Sequence, residues 1–395
     1  MKKSLIALAV LAASGAAMAQ STVTLYGLVD ANVGAFKTNA VAGTAVTSLS
    51  QTKQDSGGLN GSRWGLKGSE DLGGGLAAIF NVESGFNIDT GASAQGGLLF
   101  GRRANVGLAG GFGKLEVGRN SSSYDDISAD HAQMAQYLFD PSNTNNGNSA
   151  ATAKGMTPGP VSATVTAAQA QATALGNQQK FLNRTFSWIG YNTRFDNSFK
   201  YTSPNLAGFT TSVMYSLGED KTTALSASKT VSANVKYANG PLLVSAGYQS
   251  ETTASSVTAT TKPALENAIL NVAYNFGVAK VGLGLNRAKY KDVAAPAILG
   301  GGEFAAQNEY SLSVAVPIGA ATISAGYAQS KGDTLGKSSG FGIQALYALS
   351  KRTTLYGGGV STSAYDKLAD AVAASAPGTA IARNTTYAVG IRHTF

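Results

Sequence analysis

Apolar and polar residues alternate along this chain with a period of two, in runs of about ten residues bounded by turn residues. Tyr310, Leu312, Val314, Val316 and Ile318 share one parity, with Ser311, Ser313 and Ala315 between them. Leu270, Val272, Tyr274 and Phe276 alternate with Asn271, Ala273 and Asn275. Val231, Ala233, Val235 and Tyr237 stand opposite Ser232, Asn234 and Lys236. At the C-terminus Tyr387, Val389, Ile391 and Phe395 share a parity against Thr386, Ala388, Arg392 and Thr394. Successive side chains of a strand point to opposite faces, so each run predicts a strand with one apolar and one polar face.

Sixteen such strands are predicted, the first near Thr22–Ala35 and the next near Ser62–Glu70, Gly75–Asn87, Leu99–Ala109, Phe112–Arg119 and Tyr191–Ser203. The series continues at Leu206–Leu217, Thr230–Asn239, Leu242–Glu251, Glu266–Phe276, Ala279–Lys291 and Asn308–Ile318, and closes with Ala321–Lys331, Ser338–Leu349, Thr353–Ala364 and Asn384–Phe395. Short turns such as Asn239-Gly240-Pro241 and Pro317-Ile318-Gly319 alternate with long polar stretches at 36–61, 88–98, 120–183, 219–229, 252–265, 291–308 and 365–383. Tight turns on one rim and long loops on the other are the signature of a transmembrane β-barrel. An even strand number lets the first and last strands pair, and closure matters because an unpaired backbone group in hydrocarbon costs several kcal/mol. A soluble β-sandwich would alternate too, but would fill an inner core with Leu, Ile, Val and Phe. Here the second face is crowded with Gly, Ser, Thr, Asn and Lys, and Tyr and Phe recur near strand ends, as in a lipid-facing band between aromatic girdles. The expected fold is all-β, a sixteen-stranded antiparallel transmembrane barrel.

Composition sharpens this reading. Gly accounts for 48 of 395 residues, charged residues for 13%, and Cys is absent. A soluble domain carries about 25% charge and about 7% Gly. Low charge and ample apolar content argue against disorder, and the absence of Cys excludes disulfides and Cys-based metal sites. No run of the mature chain is apolar enough for a membrane helix. Met1-Lys2-Lys3, the apolar Leu5–Ala13 and the small-residue site Ala17-Met18-Ala19 before Gln20 form a secretory leader over residues 1–19, cleaved between Ala19 and Gln20. Its removal takes Lys2 and Lys3 with it, lowering the net charge from +8 to +6.

Several motifs carry a family resemblance. They include Val23-Thr24-Leu25-Tyr26-Gly27, Ser62-Arg63-Trp64-Gly65-Leu66-Lys67-Gly68-Ser69-Glu70-Asp71-Leu72-Gly73, Phe100-Gly101-Arg102-Arg103-Ala104-Asn105-Val106-Gly107 and Phe112-Gly113-Lys114-Leu115-Glu116-Val117-Gly118-Arg119. Asp196-Asn197-Ser198-Phe199-Lys200-Tyr201, Leu349-Ser350-Lys351-Arg352-Thr353 and the terminal Gly390-Ile391-Arg392-His393-Thr394-Phe395 extend the match over residues 22–395. The chain resembles the Gram-negative general porins of the β-proteobacterial type. That resemblance implies a homotrimeric diffusion channel of the outer membrane, with residues 20–395 as the barrel. It also implies that outer-membrane lipids and lipopolysaccharide surround the barrel, that insertion machinery reads the terminal Phe395, and that small ions and hydrophilic solutes pass through.

In this family the third long loop folds into the lumen and narrows it. The stretch 120–183 occupies that place, and loops beyond about 15 residues are usually functional or disordered. It carries Asp125, Asp126, Asp130 and Asp140. The resemblance places an arginine cluster on the facing wall, at Arg63, Arg102 and Arg194. Parity puts Arg63, Lys67 and Arg194 on the polar face. Arg102 shares parity with Phe100, Ala104 and Val106, whereas Arg103 falls with Asn105, so either the strand begins after Arg102 or Arg103 carries the role. Cations on one wall and carboxylates on the loop would set up a transverse field with a mild anion preference. The stretch 161–178, rich in Ala, Thr and Gln, leaves open a short helix or a cover over the mouth.

Other chemistries find little support. The two histidines, His131 and His393, have no evident Ser or Asp partner, which argues against a hydrolase. Gly73-Gly74-Gly75 lacks the Lys-Ser/Thr of a phosphate loop, so no cofactor is expected, and basic residues are dispersed rather than clustered for nucleic acid. A plugged structural barrel would alternate equally well, but no plug or periplasmic domain is evident.

Overall fold

The computed structural model describes residues 22–42, 45–143, 186–375 and 380–395. The leader with its cleavage site at Ala19 and Gln20, and the 161–178 stretch, lie outside the described residues. Hydrogen-bonded strands occupy most of the chain. They begin with β1 (Thr22–Ala42), β2 (Ala45–Ser56), β3 (Arg63–Gly73), β4 (Leu76–Gly85), β5 (Arg103–Gly110), β6 (Gly113–Ser121), β7 (Arg194–Thr202) and β8 (Phe209–Leu217). The chain continues through β9 (Leu225–Ser226), β10 (Lys229–Asn239), β11 (Leu242–Thr252), β12 (Ser255–Ser256), β13 (Ala264–Asn275), β14 (Lys280–Lys291) and β15 (Gln307–Ile318). It closes with β16 (Ala321–Gly332), β17 (Gly336–Ala348), β18 (Thr353–Ser363), the helix α1 (Asp366–Ser375) and β19 (Ala380–Thr394).

Each wall strand pairs antiparallel with the next, and β1 pairs with β19 over Leu28–Val41. Strands β2 and β3 share one wall position: β3 meets the first part of β1, β2 the second. Setting aside the two-residue ladder of β9 and β12 in the loops, the wall is a closed barrel of sixteen antiparallel strands. Phe395 completes the seam by exchanging backbone hydrogen bonds with Gly27, 3.0 and 3.2 Å.

Register converts the alternation into rows. Leu283, Leu312, Tyr327 and Phe341 lie side by side across β14–β17, and Val281, Val314, Ala325 and Ile343 form the next row. These faces look away from the barrel: Leu312 is 54% exposed and Val389 59%. The opposite parity holds Ser245, Asn271, Asn286, Glu309, Ser313 and Gln344, all buried although polar.

They meet the described parts of the connection between β6 and β7, residues 122–143 and 186–193. The Tyr124 N–H donates to Ser232 Oγ at 2.7 Å and the Tyr124 hydroxyl to Asn286 Oδ1 at 3.0 Å. Asn271 donates to the Ile127 carbonyl at 2.9 Å, and the N–H groups of Gln133 and Ala135 to Ser313 and Gln344. On the returning limb Ile189 N–H donates to Glu309 and Asn192 N–H to Glu251. An irregular backbone away from water must find partners, and the polar face of the wall supplies them. Glycines on that face make room: a Cβ on Gly284 would sit 2.6 Å from His131 Cγ, and one on Gly326 2.8 Å from Met134 Sδ. Tyr124, Ile127, Trp188 and Tyr191 pack with Ile269 and Ala328 as a buried cluster. Toward β10–β17 the inward polar face thus hydrogen-bonds to described residues of this connection.

Two expected loops are regular structure. Residues 36–61 are largely the β1–β2 hairpin, which the alternation missed because neither face of it shows an apolar pattern. Within 365–383, α1 buries Leu368, Ala369 and Val372 against Tyr290, Phe304 and Leu335. Its ten residues, mostly Ala and Asp, look like polar loop in sequence.

Candidate functional site

One recess of about 420 Å³ gathers most of the residues singled out from the sequence: Arg63, Lys67, Arg102, Arg103, Arg194, Asp125 and Asp126, together with Tyr26, Asn81, Glu83 and Ser121. Strand parity delivers Tyr26 from β1, Arg63 and Lys67 from β3, Asn81 and Glu83 from β4, and Arg103 from β5. The ambiguity over Arg102 resolves at the strand boundary. β5 starts at Arg103, so Arg102 precedes the pleat and its side chain is free of strand parity. Both arginines line the recess.

Glu83 organises the cations. Arg102 Nε lies 2.5 Å from Glu83 Oε1 and Arg63 Nε 4.0 Å from Oε2, while the Tyr26 hydroxyl donates to Glu83 at 3.0 Å and to Asn81 at 2.9 Å. Arg194 Nε donates to the Arg102 carbonyl at 3.1 Å and Arg103 to Ser121 Oγ at 3.3 Å. Facing them, Asp125 accepts from the Tyr191 hydroxyl at 2.8 Å. Desolvation raises the Asp125 carboxyl above the ordinary carboxylate range, against the pull of Arg194. Asp126 pairs with Lys200 at 2.7 Å. Asp130 lies elsewhere, 2.8 Å from Lys236 on β10. Five cations and three carboxylates thus line the recess.

Glu83, Tyr26, Lys200 and Lys236 were not singled out from the sequence. Each sits on the polar parity of its strand, so parity is the signal that finds them; it does not say which of many polar positions face one another across the barrel.

Asp140 joins a different group. Ser142 Oγ lies 2.7 Å from Asp140 Oδ1 and 3.0 Å from His131 Nε2, and His131 Nδ1 lies 2.9 Å from Asn271 Oδ1. The expectation of an isolated His131 is therefore corrected. Serine stands between acid and imidazole here, whereas a nucleophilic serine needs the imidazole between itself and the carboxylate. All three residues are buried. Desolvation lifts Asp140 to about 6, against the Ser142 hydrogen bonds, and lowers His131 to about 4. The raised Asp140 value gives stability that is complete below 3.8 and is lost as pH rises through about 6. The lowered His131 value gives stability present above 6.5 and lost as pH falls through about 4. The two oppose each other over the same window. Relative to wild type, D140N should melt at higher temperature as pH rises from 4 to 6.5, and H131Q at lower temperature. Thermal midpoints in detergent check this, and parallel pH profiles in both variants would break the link.

His393 lies at the short-turn rim, with Nδ1 2.9 Å from Thr353 Oγ1.

Comparison with known proteins agrees with this architecture. Residues 5–367 match the Gram-negative porin family. The chain is 34% identical to outer membrane porin protein 32 of Delftia acidovorans over 369 residues, covering 90% of this chain and 88% of that one. It is 29% identical to an outer membrane porin protein of Bordetella pertussis over the full length of both. Among solved structures, the anion-selective porin from Comamonas acidovorans superposes with a TM-score of 0.67 at 26% identity, covering 95% of this chain and all of that one. A closed barrel with outward apolar rows, matched along nearly its whole length, places the chain in the Gram-negative porin family, the passive channels of the outer membrane, and not among enzymes.

Proposed function

We propose that the channel is mildly anion-selective and that the recess between Arg63, Arg102, Arg103, Arg194 and Lys67 on the wall and Asp125 and Asp126 on the β6–β7 connection is its constriction. The observation that carries this reading is the charge imbalance of one recess, five cations against Glu83, Asp125 and Asp126. Desolvation weakens Asp125 as an anion, and Lys200 compensates Asp126, so the acidic side is weaker than its formal charge. A similar protein of 26% identity is described as anion-selective, which supports the same sign here. Opposed charges across a narrow aqueous slot orient water and polar solutes. Hydrated ions and small hydrophilic molecules pass; apolar solutes must displace oriented water and pass slowly.

On this reading residues 120–183 narrow the lumen, and the bonds from Tyr124, Gln133, Ala135, Ile189 and Asn192 to the wall hold the described part in place. The barrel works as a homotrimer in lipid and lipopolysaccharide. Phe395, paired to Gly27 at the seam, serves as the signal for the insertion machinery, and residues 1–19 are the leader removed on export.

Reversal potential across a planar bilayer under a KCl gradient tests the sign. Wild type should favour chloride. E83Q, which removes the carboxylate between Arg102 and Arg63, should raise the chloride-to-potassium ratio about two- to fourfold, since unit charges 5 Å apart in water interact by about 0.8 kcal/mol. A potassium-preferring wild type, or an E83Q channel shifted toward potassium, would overturn the proposal.

A further inference from the structure

One strand position of the wall is interrupted where it passes β1. Leu28 faces Arg63 of β3 and Ala31 faces Ser56 of β2, so residues 57–62 stand opposite Val29 and Asp30 alone. The surplus chain folds around the fully buried Asp30 side chain. Asp30 Oδ1 accepts from the Gly58 N–H at 3.0 Å, and Oδ2 from the N–H groups of Leu59 and Asn60 at 2.9 and 2.8 Å. The Tyr356 hydroxyl on β18 is a fourth donor. Both ends of the segment are pinned as well: the Gly57 N–H donates to the Asp30 carbonyl at 2.8 Å, and the Asp30 N–H to Ser62 Oγ at 3.0 Å. Successive N–H groups aimed at one point form a concavity for an anion. Among the described residues Asp30 makes no ion pair, so neutral donors compensate a charge that is otherwise costly to bury.

The gathered segment forms a seat for the β6–β7 connection. A Cβ on Gly57 would lie 2.6 Å from Tyr137 Cε1, and one on Gly61 3.3 Å from the Tyr137 hydroxyl oxygen. The Leu138 N–H donates to the Gly58 carbonyl at 3.2 Å, and Leu59 packs with Met134, Phe139 and Tyr356. Tyr356 serves both partners, its hydroxyl on Asp30 and its ring 6.1 Å from that of Phe139. Tyr137 remains 37% exposed and lies within electrostatic reach of Arg102 and Arg194.

We propose that Asp30 is a positioning residue of the pore: it gathers 57–62 into the seat of Tyr137, whose ring narrows the passage beside Arg102 and Arg194. The inference rests on the reading of 120–183 as the narrowing element. Its effect is on width and not on the sign of selectivity, because the phenol is uncharged and Asp30 is withdrawn behind the segment it holds. A seated ring excludes by its bulk, so large solutes feel its release more than small ones.

The test is liposome swelling with the neutral sugars arabinose and raffinose, alongside single-channel conductance in KCl, for wild type, D30N, Y137A and D30N/Y137A. D30N and Y137A should each speed raffinose entry about two- to threefold relative to arabinose, since pore diameter governs what enters. Because Asp30 acts through Tyr137, the double variant should match Y137A, whereas independent sites would add. Y356F removes one donor and keeps the ring; it should shift the ratio the same way by less, and Y356F/Y137A should again match Y137A. That pair decides the matter if D30N fails to assemble. A variant at Asp30 or Tyr356 that melts earlier yet keeps the wild-type sugar ratio and conductance shows a structural role only and overturns the inference. Full additivity with Y137A overturns it too. Neutral sugars are blind to ion preference, so a potassium-preferring wild type with these sugar effects intact overturns the selectivity reading alone. A Y137A effect without a D30N or Y356F effect keeps the connection as the narrowing element and overturns the role of Asp30 alone.

Discussion

A channel carrying R102S and R194S together is expected to lose most of its chloride preference, its chloride-to-potassium permeability ratio falling roughly tenfold in 0.1 M salt, where the Debye length is about 10 Å. The size follows from position. Both guanidinium groups line the one recess that also holds Asp125, and each is held there rather than free to swing away, Arg102 by Glu83 and Arg194 by the Arg102 carbonyl. A passing ion about 5 Å from one such charge is stabilised or repelled by about 0.8 kcal/mol in water. Losing two cations lowers the attraction for chloride and the barrier for potassium at once, while Arg63, Arg103 and Lys67 keep the effect from becoming a full reversal. Reversal potentials read this directly. Unchanged selectivity in a channel of normal conductance would mean that charges outside the recess set the ion preference.

The second large effect is expected at Trp188. Its side chain is fully buried, its ring stacks on His131 at 5.1 Å, and its indole N–H donates to the Tyr310 carbonyl at 3.2 Å. Replacing a buried aromatic by Ala typically costs about 3–5 kcal/mol. The barrel wall does not depend on this contact, because its strands are closed by their own backbone ladder. The loss therefore falls on the segment 122–143 and 186–193, which opens locally before the wall does. W188A should show faster amide exchange at Tyr124, Gln133 and Ile189, together with higher and noisier single-channel current, while strand amides stay protected. Unchanged exchange and current would show that the hydrogen bonds from the wall, not the aromatic cluster, hold the segment.

The periodicity of the sequence was enough to establish the wall. An apolar side chain in lipid and a polar one across the same strand must alternate, so Tyr310–Ile318 or Val231–Tyr237 could hardly be read otherwise, and the sixteen strands of the alternation are those of the barrel. Where a strand leaves that two-sided environment the signal vanishes. The hairpin of β1 and β2 beyond residue 36 has no lipid-facing side to mark it, and α1 shows only three buried positions in ten residues.

The basic side of the recess was legible for a related reason: Arg63, Lys67, Arg103 and Arg194 occupy polar parity on strands, and an arginine at lipid midplane would cost about 2–4 kcal/mol. Parity is local, however, and it is silent about which inward residues meet across the barrel. That Glu83 bridges two arginines, that Asp130 turns to Lys236, and that Asp140 reaches His131 through Ser142 are outcomes of barrel closure and of an irregular segment seeking partners. The chain by itself determined which side of each strand meets lipid, because hydrophobic transfer acts residue by residue. Only the closed barrel decided which charges face one another, because electrostatic pairing depends on distances in space between residues as far apart in sequence as Asp130 and Lys236.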